Sequence, residues 1–244
     1  WTEVSPIPAG APTSLALTPP PSSNAAAVPA WTSGGALALV GDSLWIVDRD
    51  RSRVVAVGAL TGQVAIDVPL GAAPDQLVAF PSDDGGSTQD TTVVVTSAVG
   101  QRIVRLAADG SIVADVASSG APLAVAVSPD RSQLFVSDVA ESRIELRDPH
   151  TLALLASAET LEMPRALAAT GESSTGGASV WAVHQHGQVV RYDVTTAADE
   201  LLLTATSQIE LRRSLPEDEL YNLGVLPVAR PTRALACAVA KSGP

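Results

Sequence analysis

From Gly34 onward the chain alternates short apolar runs with Gly, Asp, Ser and Pro. Val, Ile and Leu dominate the runs, and a 3.6-residue periodicity is scarce. This pattern predicts many short strands rather than helices. The runs also recur as strand–loop–strand units. Leu44–Asp48 is followed by Arg53–Val57, Val93–Ser97 by Arg102–Leu106, Leu134–Asp138 by Arg143–Arg147, and Val180–His184 by Gln188–Tyr192. The two strands of a unit start nine residues apart in the first three copies and eight in the fourth.

Each copy continues alike. A turn (60–62, 108–110, 148–150, 193–195) leads to a third strand at Val64–Val68, Ile112–Val116, Ala153–Ala156 or Leu201–Thr204. A proline (Pro74, Pro122, Pro164, Pro231) then leads to a fourth, at Gln76–Phe80, Leu123–Val127, Ala166–Ala169 or Ala234–Val239. Four strands in a unit of about 40–50 residues predict an all-β fold, a β-propeller of four-stranded antiparallel blades. The strand after the proline is small and apolar, as in Ala124–Val127 and Ala166–Ala169, which suits the crowded axis. Trp45, Val94, Phe135 and Trp181 occupy one matched position and are expected to fill the space between neighbouring blades.

The run Pro122-Leu123-Ala124-Val125-Ala126-Val127-Ser128-Pro129-Asp130, continuing through Leu134-Phe135-Val136-Ser137-Asp138, resembles the YVTN-type, NHL-like β-propeller repeat. Leu44–Phe80 is similar to it as well, including Thr61-Gly62 and Gly71 before Pro74. The resemblance covers about residues 36–240. Arg131-Ser132 replaces the glycine turn of that repeat, and its tyrosine is absent throughout. A repeat family identifies a fold far better than a function.

Four copies with repeat starts near 44, 93, 134 and 180 span a propeller region of 34–244. Residues 207–230 interrupt the pattern as an insertion, and Pro231–Pro244 has the pattern of the start of a further blade. An unclosed ring would expose apolar faces and strand edges. The four copies are therefore expected to form part of a larger ring, completed by a further polypeptide segment or another chain. A four-bladed ring closed by the last strand would require Gly35–Val40 to belong elsewhere. Residues 1–33 hold seven prolines, including Pro19-Pro20-Pro21, and are expected to form an extended arm or linker.

Composition narrows the function classes. With 15 basic and 26 acidic residues the formal net charge is −11, which argues against nucleic acid as a partner. No apolar run approaches the roughly 20 residues of a membrane span. Cys237 is the single cysteine, so neither an intrachain disulfide nor a C-x-x-C-H haem attachment is available. An acidic, nearly cysteine-free β chain that opens at Trp1 rather than Met fits a processed protein of the periplasm or cell exterior.

Chemistry is sparse. If extended, His184 and His186 would point to one side and suit a transition metal, although a polar turn is the plainer reading, since Asp48, Ser97 and Asp138 stand where His184 does. The acidic runs Asp83-Asp84 and Glu217-Asp218-Glu219 lack the spaced alternation of a calcium loop. No Gly-x-Ser-x-Gly elbow is present. Arg53, Arg102 and Arg143 recur at one position, where an anion site competes with surface pairing to acids or turn carbonyls.

No catalytic residue and no bound cofactor are assigned to this chain. Candidate partner contacts are Trp1 and Trp31 on the arm and Leu211, Leu215, Leu220 and Tyr221 on the insertion. The expected function is a non-catalytic binding or scaffold propeller in an extracytoplasmic assembly. Two alternatives stand beside it. The resemblance allows the propeller part of a c-type-cytochrome, peroxidase-like redox enzyme whose haem lies elsewhere. A lactonase-like, metal-dependent hydrolase would need carboxylates or imidazoles converging at the axis. The presence of only two asparagines, Asn24 and Asn222, weakens that last reading.

Overall fold

The computed structural model describes residues 33–80, 91–171, 178–198 and 200–210. They form sixteen strands in four antiparallel sheets. The first sheet holds β1 (Leu37–Val40), β2 (Ser43–Asp48), β3 (Arg53–Gly58) and β4 (Val64–Pro69). The second holds β5 (Gln76–Phe80), β6 (Thr92–Ser97), β7 (Arg102–Ala107) and β8 (Ile112–Ala117). The third holds β9 (Pro122–Val127), β10 (Leu134–Asp138), β11 (Arg143–Arg147) and β12 (Leu154–Glu159). The fourth holds β13 (Pro164–Thr170), β14 (Ser179–His184), β15 (Gln188–Ala197) and β16 (Glu200–Glu210). Each sheet pairs its strands in sequence order.

The strand that follows the proline begins a sheet; it does not end one. The repeat is thus phased one strand earlier than the sequence units suggest, and β1 supplies the first strand of the first sheet by pairing with β2 from Leu37↔Ile46 to Val40↔Ser43. The first strands β1, β5, β9 and β13 stand side by side in order.

Alternation along each strand sends one side chain to the preceding sheet and the next to the following one. Leu77 thus packs with Trp45 and Val54 of the first sheet, whereas Val78 packs with Val125 and Leu134 of the third. Leu167 and Ala169 meet Ala124, Ala126 and Phe135. In the first three sheets the large residue of the second strand fills the seam ahead of it, as expected; Trp181 of the fourth is half-buried. Trp45, Val94 and Phe135 are 1%, 0% and 0% exposed. Each such burial contributes about 1.5–3 kcal/mol. The middle sheets are therefore covered on both faces.

The turns obey the repeat too. The residue before each matched arginine has positive φ: Ser52 (51°), Gln101 (49°) and Ser142 (49°). The fourth copy shortens the turn by one residue and places Gly187 there, at φ 88°. This accounts for the eight-residue spacing. Asp193-Val194-Thr195, expected as a turn, continues β15, because the β15–β16 hairpin is extended and pairs through Ala197↔Glu200. Ser207, at the start of the expected insertion, is also strand and pairs with Arg191.

Candidate functional site

Three consecutive residues cross the inner strands. Gly35 exchanges two main-chain hydrogen bonds with Leu77 of β5, at 3.0 and 2.8 Å. Gly34 N–H donates to the Val125 carbonyl of β9 at 2.7 Å. Ser33 Oγ donates to the Leu167 carbonyl of β13 at 2.8 Å. The end of the Pro-rich zone is thus strapped across the strands that would line an axial ligand site. A Cβ on Gly34 would lie 2.4 Å from the Val125 carbonyl oxygen, so only glycine allows this approach.

His184 and His186 do not form a shared ligand pair. His184 ends β14 and is 2% exposed, with Nδ1 2.9 Å from the Glu162 main-chain carbonyl. Its Nε2 is buried and has no hydrogen-bond partner among the described residues. Burial lowers its pKa below 6.5, against a smaller upward pull from Glu162. His186 lies in the following turn, with Nδ1 3.0 Å from the Glu162 carboxylate, which also accepts the His186 main-chain N–H. The two rings engage different oxygens of one residue. Among the described residues no group of three or more His, Cys, Asp or Glu could hold a metal.

The matched positions explain why His184 is there. Asp138 Oδ1 accepts from the Ala121, Ala140 and Glu141 main chains. Ser97 Oγ accepts from Gly100 N–H and donates to the Ala73 carbonyl. His184 likewise ties the turn after its strand to the loop that enters its sheet. It meets a carbonyl with a ring N–H where Asp138 meets N–H groups with a carboxylate. Glu162, which holds both histidines, was not legible in the sequence, because its register against the turn depends on the tertiary packing of the sheet-to-sheet loop.

The arginines are also tied down. Arg102 donates to the Leu70 carbonyl at 2.8 Å and pairs with Asp115. Arg143 bonds Ser119 Oγ at 2.8 Å and pairs with buried Glu145. Arg53 pairs with Asp48 and Asp67. Each guanidinium thus has a neighbouring carboxylate, which supports the pairing reading over an anion site. The side-chain hydrogen bond from Arg53 is the main cause holding the Asp48 carboxyl below its ordinary pKa.

A cavity of about 700 Å³ lies between the β1–β2 turn and the β7–β8 turn, lined by Val40, Asp42, Ser43, Trp45, Ala108 and Asp109. Asp109 is committed to its own turn, accepting from Ser111 N–H and Oγ–H.

The other face of the first sheet, which no sheet covers among the described residues, has a different character. Leu37, Ile46 and Val55 form one cross-strand row, and Leu39, Leu44, Val57 and Val64 another. Leu37, Leu39 and Val64 are 58%, 65% and 62% exposed. The opposite face of the same sheet carries Trp45, Val47 and Val54 and is sealed by the second sheet. The sequence candidates Trp1, Trp31, Leu211, Leu215, Leu220 and Tyr221, and both acidic runs, lie outside the described residues.

Solved structures share this arrangement of sheets. A putative 6-phosphogluconolactonase from Bacteroides uniformis superposes with a TM-score of 0.56 at 15% identity, covering 78% of this chain and 57% of that one. BBS1N, solved in complex with ARL6DN and soaked with lead, superposes with a TM-score of 0.52 at 18% identity, covering 74% of this chain and 56% of that one. The fold is a β-propeller. The chain spans a little over half the length of either neighbour. At these identities the likeness concerns fold alone. No family model matches the sequence, and no curated protein matches it. Among the described residues no helix is long and apolar enough to cross a membrane.

Proposed function

We propose that this propeller is a non-catalytic binding and scaffold module of an extracytoplasmic assembly, and that the free face of its first blade receives a protein partner through an apolar sheet. The observation that carries this reading is the exposure of Leu37 and Leu39 on a sheet whose other face is sealed by a neighbouring blade. The three described seams show what covers such faces: another sheet with interlocking aliphatic side chains. A contiguous exposed apolar patch of this kind marks an interaction surface. The Ser33–Gly35 strap supports binding at a blade face rather than at the axis, since main chain already occupies the path between inner strands. BBS1N, of the same fold, was captured with ARL6DN. The acidic charge and the single cysteine support a place outside the cytoplasm.

The test is site-specific photo-crosslinking in the producing cell, with a benzophenone amino acid at Leu37 or Leu39 and controls at exposed Leu60 and Val99. One defined polypeptide should couple at the Leu37 and Leu39 positions and be absent from the controls. Coupling only within the chain itself, or identical products from all four positions, would overturn the reading.

A further inference from the structure

The large residue of each second strand faces one cross-strand partner on the third strand, and the four copies differ there. Trp45 is paired with Ala56, Val94 with Arg105, Phe135 with Leu146 and Trp181 with Arg191. Arg105 uses its place to tie the second sheet to the third. Its Nε donates to Thr92 Oγ1 of its own sheet at 3.1 Å, and its Nη1 donates to the His150 main-chain carbonyl of the next at 2.8 Å. Asp148, in the same turn as His150, attracts the guanidinium. Arg191 lies over the Trp181 ring, 5.9 Å from the centroid.

The first sheet lacks this arginine, because Ala56 ends at Cβ and is fully buried. The corresponding space between the first and second sheets is the cavity of about 700 Å³. Ser43 stands in the repeat where Thr92 does, and Asp109 where His150 does, and both line it. The groups that Arg105 bonds one seam further on thus have counterparts here. Two exposed carboxylates, Asp42 and Asp109, add negative charge to the lining. Asp109 accepts from Ser111 N–H and Oγ–H through Oδ1 alone, so Oδ2 can accept from a ligand. The same bonds hold its carboxyl below the ordinary pKa, which keeps it charged at neutral pH. Trp45 lines the cavity as well, in the position from which Trp181 meets Arg191. Among the described residues no basic side chain lines it.

We propose that this cavity binds an arginine side chain of a protein partner, with the guanidinium between Asp42 and Asp109 in the place that Arg105 fills in the next seam. A planar guanidinium presents a fork of donors that suits carboxylates, and it is favoured beside an aromatic ring. The cavity falls within the roughly 300–1,000 Å³ of ligand pockets, which leaves room for peptide on either side of the arginine. The net charge of −11 draws a basic segment toward it. The site lies where the first sheet meets the second, so it stands or falls separately from the partner at Leu37 and Leu39.

The probe is the blocked pentapeptide acetyl-Gly-Gly-Arg-Gly-Gly-amide, whose single charge is the guanidinium. It is titrated into the isotope-labelled full chain and followed by amide chemical shifts. The resonances of Gly41–Ser43 and Ala107–Asp109 should move and saturate, and the norleucine counterpart should leave them in place. Asp42→Ser/Asp109→Ser should weaken binding about threefold to tenfold. Asp42→Ser alone leaves the Asp109–Ser111 bonds intact and should give part of that loss. Asp50→Ser/Glu141→Ser removes two exposed charges elsewhere and should bind as the parent does. Unmoved resonances at both turns would overturn the proposal, as would equal shifts with norleucine. Equal weakening in the two double variants would reduce the binding to net charge and overturn it too. A lysine peptide that binds as tightly as the arginine one would overturn the assignment to a guanidinium.

Discussion

Phe135 and Trp181 hold the same place in successive blades, and their surroundings differ. Phe135 is wholly buried against Leu167 and Ala169 of the following sheet. Among the described residues Trp181 packs with residues of its own sheet and is half-buried. The repeat therefore determines which residue type points forward, whereas the presence of a next blade determines how much of it is buried. The first blade shows the same at the other end, with Trp45 sealed and Leu37 and Leu39 open. In a repeat array the interior seams carry the stability, and the end faces are left for covering by something else.

The contrast can be broken by truncation. Phe135→Ala should cost about 3–5 kcal/mol in denaturant unfolding, since it leaves a cavity in a closed seam. Trp181→Ala should cost less, roughly 2 kcal/mol, because the half-buried ring gives up less buried apolar area. Equal costs would show that both faces are covered alike.

A second prediction sharpens the role of the strap. Gly34→Val should lose about 2–3 kcal/mol as the hydrogen bonds to β9 and β13 part. A Cβ at the neighbouring Gly35 would approach nothing closer than 3.7 Å, so Gly35→Ala is the matched control and should be nearly silent. Similar losses at both glycines would contradict the strap.

A smaller effect comes from pH. The native pKa of His184 lies below its ordinary 6.5, chiefly through burial. Between those two values the unfolded chain holds the proton and the native one does not. Stability is therefore full above about pH 6.5 and is lost as the pH falls toward the native pKa. Melting measured from pH 7.5 to 5.5 should fall less steeply in His184→Gln than in the parent. A steeper fall would contradict a buried neutral ring.

The smallest effect should be a gain. Ser142 adopts φ 49° where the fourth copy has Gly187. Ser142→Gly should raise stability by up to about 1 kcal/mol, read as a higher Tm.

Much of this was legible in the sequence because a repeat states each requirement several times. The apolar runs, the prolines and the turn residues fixed nearly every strand, and the matched Trp, Val and Phe positions indicated the seams. The phase of the sheets was less legible, since a strand between two turns can pair with either neighbour. Asp193–Thr195 misled because its turn-like composition gave way to a long hairpin in which each residue found a partner. The strap was visible only as the Gly34-Gly35 doublet, and its contacts with three separate blades are long-range. The histidines illustrate the same limit. Their spacing suggests a ligand pair, while Glu162, which separates their roles, belongs to another loop.

The open face of the first blade is the feature on which the proposed partner binding depends. Its most direct test is the native mass of the complex isolated from the producing cell, compared between the parent and Leu37→Asp/Leu39→Asp. The account predicts a stoichiometric complex in the parent, and a lone chain with an unchanged β-sheet circular dichroism spectrum in the variant. A lone chain in both, or the same complex in both, would contradict it.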